Sequence, residues 1–377
     1  MKTRLTALMY LSAAGAFTAS IVSTTALAQL SPNATVFASH LQAPRGLKFG
    51  PDGLLYVAEA GTAGTNSTVG LCPQVPPPVG PSIAGYTSRI SKIDRFGNVT
   101  TVASGFPSAL NGVGDTQGVA DVAFLEGKLY AVLAGAGCSH GNAWVPNAIV
   151  KVNTNTGDWK ILANLSHFLM KHPAKYTKAS DFEPDGTFYS LIAHGERLYT
   201  VEPNHGQILS ISEDGEIREE IDISEAEGHI VPTSIAAKGD KFYVGNLGLF
   251  PITPESEKID ILSREECEWP LVSGFAYSNE RERLCVTGTR AGFTTVVAVA
   301  FGPDGLLYAL ELSAAPGFPT LGAGKVVRLN RAGEIEDVAT GLSVPTGMTF
   351  GPDGYLYVSN FGAAPAGAGQ IVRITLP

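Results

Sequence analysis

The chain has 377 residues, 44% hydrophobic and only 16% charged, with 43 glycines, 24 prolines and a formal charge of −9. Sparse charge with abundant Gly and Pro argues against a helical bundle and for an all-β protein. The acidic balance argues against DNA, RNA or anionic lipid as partners, and no apolar run beyond the N-terminus reaches the length of a membrane span.

In chain order, the first element is a processing signal. Lys2 and Arg4 precede an almost wholly apolar run from Leu5 to Val22, and Ala26-Leu27-Ala28 offers a small-x-small cleavage site. Residues 1–28 are therefore predicted to be a signal peptide and residues 29–377 one mature domain, secreted or periplasmic. Losing Lys2 and Arg4 takes the charge from −9 to −11. A short alternating strand, ATVFASHL from Ala34, comes next and has no nearby partner. APRGLKFGPDGLLYVAEAG from Ala43 then reads as two strands about a tight turn, in which Pro51 presets φ and Gly53 accepts a positive φ. A further strand pair, SRISKIDRFGNVTTVAS, starts at Ser88.

This order recurs along the chain. Hairpin copies begin at Val119 (VADVAFLEGKLYAVLAG), Tyr189 (YSLIAHGERLYTVEPNHG), Val231 (VPTSIAAKGDKFYVGNLG), Val296 (VVAVAFGPDGLLYALELS) and Val344 (VPTGMTFGPDGYLYVSNFG). Further strand pairs begin at Ala148, Gln207 and Lys325. Six units of four antiparallel strands, none able to bury both faces alone, predict a six-bladed β-propeller. The sixth unit stops after its third strand, GQIVRITLP, so the strand at Ala34 is expected to complete it and close the ring without a free edge.

The innermost strand and the next run antiparallel, so the start of one and the end of the other reach the same face. Loops 61–87, 134–146, 247–257, 313–323 and 361–369 all follow the second strand and are expected to wall one mouth of the central channel, where binding sites gather. Six positions fall in register at the second strand's end: Glu59, Leu133, Glu202, Asn246, Glu311 and Asn360. Five carry a carboxylate or an amide. Converging near an axis they would be hard oxygen ligands for Ca²⁺ or would orient a small polar molecule; as ordinary strand ends they would bond loop amides. The companion ring at the inner strand's start is Arg45, Ala120, Tyr189, Thr233, Val297 and Thr346, with no common charge, and Asp121 sits one step further in. No Gly-x-Ser-x-Gly, His-Glu-x-x-His or phosphate loop occurs, and His194 and His205 are lone candidates for a general base.

The four cysteines suit an oxidising compartment. Cys267–Cys285 is expected as a local staple and Cys72–Cys138 as a bridge between neighbouring loops. The acidic stretches 213–227 and 255–268 read as solvated faces, and a monomer is expected.

The segments PRGLKFGPDGLLYVAEAG, GVADVAF, VPTSIA with YVGNLGLFPI, VVAVAFGPDGLLYALELS and VPTGMTFGPDGYLYVSNFG resemble, in order over nearly the whole mature chain, the ScyD/ScyE family. These are exported NHL/TolB-like propellers named for a cyanobacterial scytonemin (sunscreen pigment) gene cluster. The segment KIDILSREECEWPLVSGFAYSNERERLCV is longer and more charged than the resemblance leads one to expect. It implies an exported binding or scaffold propeller, with a small molecule, a protein or a metal held at the loop-bearing mouth, and no catalytic residues to carry over. More distantly the chain is similar to gluconolactonase, paraoxonase and strictosidine-synthase-like propellers. That likeness implies the alternative of a metal-assisted hydrolase or lyase, with Glu59, Asn246 and Asn360 at comparable strand ends.

Overall fold

Six antiparallel sheets stand around one axis in the computed structural model, which describes residues 29–264, 283–364 and 366–376. Blade 1 is β2 (Pro44–Phe49), β3 (Leu55–Glu59), β4 (Ile83–Ile93) and β5 (Val99–Leu110). Blade 2 is β7 (Val119–Leu125), β8 (Lys128–Leu133), β9 (Ala148–Val152) and β10 (Trp159–Asn164). Blade 3 runs β11 (Leu191–His194), β12 (Arg197–Glu202), β13 (Gln207–Ser212) and β14 (Ile217–Asp222), and blade 4 runs β15 (Pro232–Lys238), β16 (Lys241–Asn246), β17 (Glu257–Ser263) and β18 (Cys285–Phe293). Blade 5 is β19 (Val296–Phe301), β20 (Leu307–Glu311), β21 (Gly324–Leu329) and β22 (Ile335–Leu342). Blade 6 is β23 (Gly347–Phe350), β24 (Leu356–Asn360), β25 (Gly369–Ile374) and, as its outer strand, β1 (Ala34–Leu41). β1 and β25 pair from Ala34 opposite Ile374 to Leu41 opposite Gly369, so the ring closes as its ends predict.

Blade 1 departs from the four-strand pattern. A two-residue strand, β6 (Thr116–Gln117), pairs with the end of β5 and makes a fifth. The long loop after β3 is also shorter than expected, because β4 begins at Ile83. A second departure is the connector 165–190 between blades 2 and 3, a long segment that does not follow a second strand. It carries α1 (Leu165–Lys171), capped by the Asn164 side chain, which accepts the His167 N–H at 2.9 Å. Its FEPDGTFY string from Phe182 echoes FGPDGLLY, but the rest of the segment does not repeat.

The repeated FGPDGLLY string builds one device three times. The Asp52 carboxylate accepts the Leu54 N–H and the Tyr56 hydroxyl (3.2 and 2.9 Å), and Asp304 and Asp353 do the same for Leu306 with Tyr308 and Tyr355 with Tyr357. Gly53, Gly305 and Gly354 hold φ near +75 to +82°, which an L side chain resists. Each tyrosine then meets the phenylalanine ending the inner strand of the next blade edge to face: Tyr56 with Phe124, Tyr308 with Phe350, Tyr357 with Phe49, at 5.0 to 5.2 Å between centroids. Such contacts add about 0.5–1.5 kcal/mol each beyond burial and fix the angle between neighbouring sheets.

The Cys72–Cys138 disulfide is present and joins the loops after β3 and β8. The Cys267–Cys285 pairing involves Cys267, which lies outside the described residues, as does the predicted signal peptide 1–28. The acidic stretch 213–227 is not wholly a solvated face. Glu220 is buried and bonded to Arg264, and Glu227 holds Lys258. Among the described residues no helix is long and apolar enough to cross a membrane.

Candidate functional site at the channel mouth

The five polar strand-end residues are all buried. In four blades the side-chain oxygen reaches back to the segment entering its own blade. Glu59 accepts the Gln42 N–H (2.6 Å), Glu202 that of Thr187 (2.7 Å), Glu311 that of Thr294 (2.9 Å) and Asn360 that of Ser343 (2.7 Å). Three of these pairs have the same spacing of 17 residues. Glu59 also forks onto Arg89, with both distances 2.8 Å, and Glu202 accepts the His205 N–H. Blade 4 differs: Asn246 donates to Asp260 at 2.9 Å, and Lys258 Nζ stands 3.3 Å from Asp260 and bonds Glu227. Among the described residues no three His, Cys, Asp or Glu side chains form a group able to hold a metal ion. Cys72, Cys138 and Cys285 stand apart from these positions, on the loops and on β18.

The inner-strand starts do come together. Arg45, buried at the top of β2, bonds both the Asp115 carboxylate and the Thr116 carbonyl, which β6 presents to it. Burial opposes the guanidinium's charge, but Asp115 beside it outweighs that and holds the pKa above its ordinary value. Tyr189 enters from the blade 2–3 connector and donates its hydroxyl to the Thr346 carbonyl at 3.2 Å. Blades 3 and 6 stand opposite each other in a ring of six, so this side chain crosses the axis and plugs the channel. Burial pushes the phenol well above its usual range, against the pull of Arg45, so Tyr189 acts as a neutral donor.

Three spaces meet at Tyr189. Above it lies an open cleft of about 310 Å³, whose apolar wall includes Val79, Leu247, Leu249 and Phe250 and whose polar wall includes Lys178, Asp181, Thr187 and Asn204. Beside it is a cavity of about 40 Å³ under Arg45 and Asp115, and below it one of about 30 Å³ with Asp121 and Ser190 on the axis. Asp121 is buried in the channel wall. It accepts the Val122 and Leu191 N–H groups at 2.8 Å, and desolvation raises its pKa despite those bonds and Lys48 at 3.8 Å.

The two histidines weighed as bases lie at opposite faces. His205 is buried, bonded to the Glu183 carbonyl at 3.0 Å and stacked on Phe182, whereas His194 ends β11 at the far mouth. A histidine the sequence reading passed over, His140, is fully buried with Nε2 at 2.7 Å from Glu183 and Nδ1 at 2.9 Å from the Ala136 carbonyl. Burial lowers its basicity, but Glu183 and Asp185 outweigh that and raise its pKa above the ordinary value. Its carboxylate partner Glu183 comes from the connector between blades 2 and 3.

No family model matches the chain, and no curated protein matches it. Solved structures do. A gluconolactonase of Xanthomonas campestris superposes with a TM-score of 0.52 at 11% identity, over 91% of this chain and 89% of that one. The PQQ-bound aldose sugar dehydrogenase of Streptomyces coelicolor gives 0.51 at 13%, over 93% and 99%. A Bacteroides thetaiotaomicron protein of unknown function gives 0.53 at 11%, over 92% and 76%. At such identities the likeness is one of fold, the six-bladed propeller.

Proposed function

We propose that this is an exported binding propeller of the ScyD/ScyE kind, which takes a small amphipathic molecule into the loop-bearing mouth and does no chemistry on it. The observation that carries this reading is the cleft above Tyr189. An apolar wall from Leu247, Leu249 and Phe250 faces donors and acceptors from Lys178, Asp181, Thr187 and Asn204, a lining that suits a ligand with one greasy and one polar edge. The disulfide across two mouth loops supports folding in an oxidising compartment.

The oxygens of Glu59, Glu202 and Asn360 fit the role of blade latches better than that of calcium ligands, because N–H and O–H donors already occupy them, whereas Glu311 keeps one buried oxygen, Oε2, without a hydrogen bond. The metal-assisted hydrolase or lyase alternative needs those oxygens free. A melting-temperature screen of amphipathic small molecules, with calcium and a chelator as separate arms, decides between the two. Stabilisation by such a molecule, lost in Phe250→Ala and in Tyr189→Phe but indifferent to chelator, is expected. A calcium-dependent rise in melting temperature that Glu311→Gln removes would instead make the strand ends a cation site.

A further inference from the structure

The far end of the channel opens on the hairpin-bearing face as a funnel of about 480 Å³ to which all six blades contribute. Its rim includes Phe49, Phe124, Phe301, Phe350 and His194, each at or one residue before the end of the inner strand of a different blade, and all are half-buried. Its lower wall is apolar or small, with Ile192, Ile235, Ala300 and Met348. One charged side chain lines the funnel, Lys48, and it lines the small axial cavity beneath as well.

Lys48 is the informative residue. Its ammonium makes no hydrogen bond to another described group, and its nearest anion, Asp121 Oδ2, is 3.8 Å away. That carboxylate already accepts the Leu191 and Val122 N–H groups. The Lys48 side chain is 30% exposed and loosely paired with Asp121, so an anionic oxygen entering the funnel can bond the ammonium without displacing a protein acceptor. Fixed aromatic side chains above it offer a dry seat for hydrocarbon.

We propose that this funnel is a second binding site, on the face opposite the mouth cleft, for small apolar carboxylic acids, with the carboxylate on Lys48 and the hydrocarbon among the rim phenylalanines. Decanoate is a suitable probe, followed by displacement of the anionic fluorophore 8-anilinonaphthalene-1-sulfonate and by direct calorimetry. Decanol and decyltrimethylammonium carry the same chain with no charge and the opposite charge.

The expected result is that decanoate binds and decyltrimethylammonium does not compete. Lys48→Met should weaken decanoate about tenfold or more while leaving decanol unchanged, and Lys48→Arg should restore most of the loss. Ala300→Phe, which adds bulk to the funnel wall on a blade other than that of Lys48, should block both, with melting curves confirming that each variant is folded. Decanoate binding that is absent, or that survives both Lys48→Met and Ala300→Phe, or that the cationic analogue matches, overturns the proposal. Binding lost in Phe250→Ala but kept in Ala300→Phe would place decanoate in the mouth cleft, sinking the second site while leaving the mouth reading intact.

Discussion

Gly46 on β2 faces the carboxyl group of Asp121 on β7, and a β-carbon at Gly46 would run into it. The pair explains how a carboxylate fits on so narrow an axis: one blade withholds a side chain so that its neighbour can place one. Gly46→Ala should cost about 1–3 kcal/mol by overpacking, and adding Asp121→Gly should recover part of that loss, a coupling that denaturant unfolding of the double-mutant cycle measures. Glu311 offers a second test. Burial, opposed by the Thr294 N–H and Lys325, pushes its carboxyl up to about 7 from 4.5. An acid whose folded pKa is raised is protonated more readily in the native state, so its contribution to stability declines as pH climbs from 4.5 to about 7. Glu311→Gln keeps an acceptor for Thr294 and cannot ionise. Relative to the parent, it should gain up to about 3 kcal/mol between pH 5 and pH 8, and a melting-temperature difference that does not move with pH would count against the assignment.

Among the elements, those that repeat were legible and those that do not were missed. The hairpin copies gave the blades because proline, glycine and alternating apolar residues determine local geometry without help from the rest of the chain. The latch role of Glu59 and its counterparts was readable only as one of two options, since an oxygen at a strand end gives no sign of whether a loop amide or a ligand will meet it. The Arg45–Asp115–Tyr189 cluster drew no comparable signal. Its members lie 70 or more residues apart and come from the loop before the extra strand, an inner strand and a connector, so only the closed ring brings them together. The loops at the mouth depend on cross-ties of the same long-range sort. Cys72 and Cys138 close a span of 66 residues, and Ser139 and His140 next to them fasten onto Asp185 and Glu183 of the connector. Cys72→Ser with Cys138→Ser should lower unfolding stability by up to about 4 kcal/mol if chain entropy governs the bridge. The readout is chemical denaturation of parent and variant without reductant, in which the variant's midpoint should fall.

For the whole molecule, stability is shared by six sheets that each lean on two neighbours, and β1 is the piece that leaves none with an open side. Removing residues 29–41 should expose β25 as a bare edge and convert a single species in light scattering into a mixture of larger ones. A peptide of residues 29–41 added in trans should reverse the effect; a truncated protein that stays monodisperse would mean the ring holds without it. The closing strand also sets an order of events. β1 must remain unmatched until β25 has been made, some 340 positions later. A ribosome that stalls one unit early, or a protease that clips the tail, therefore releases a molecule with two sticky ends rather than a slightly smaller propeller. Closure of the ring is checked by the fold itself.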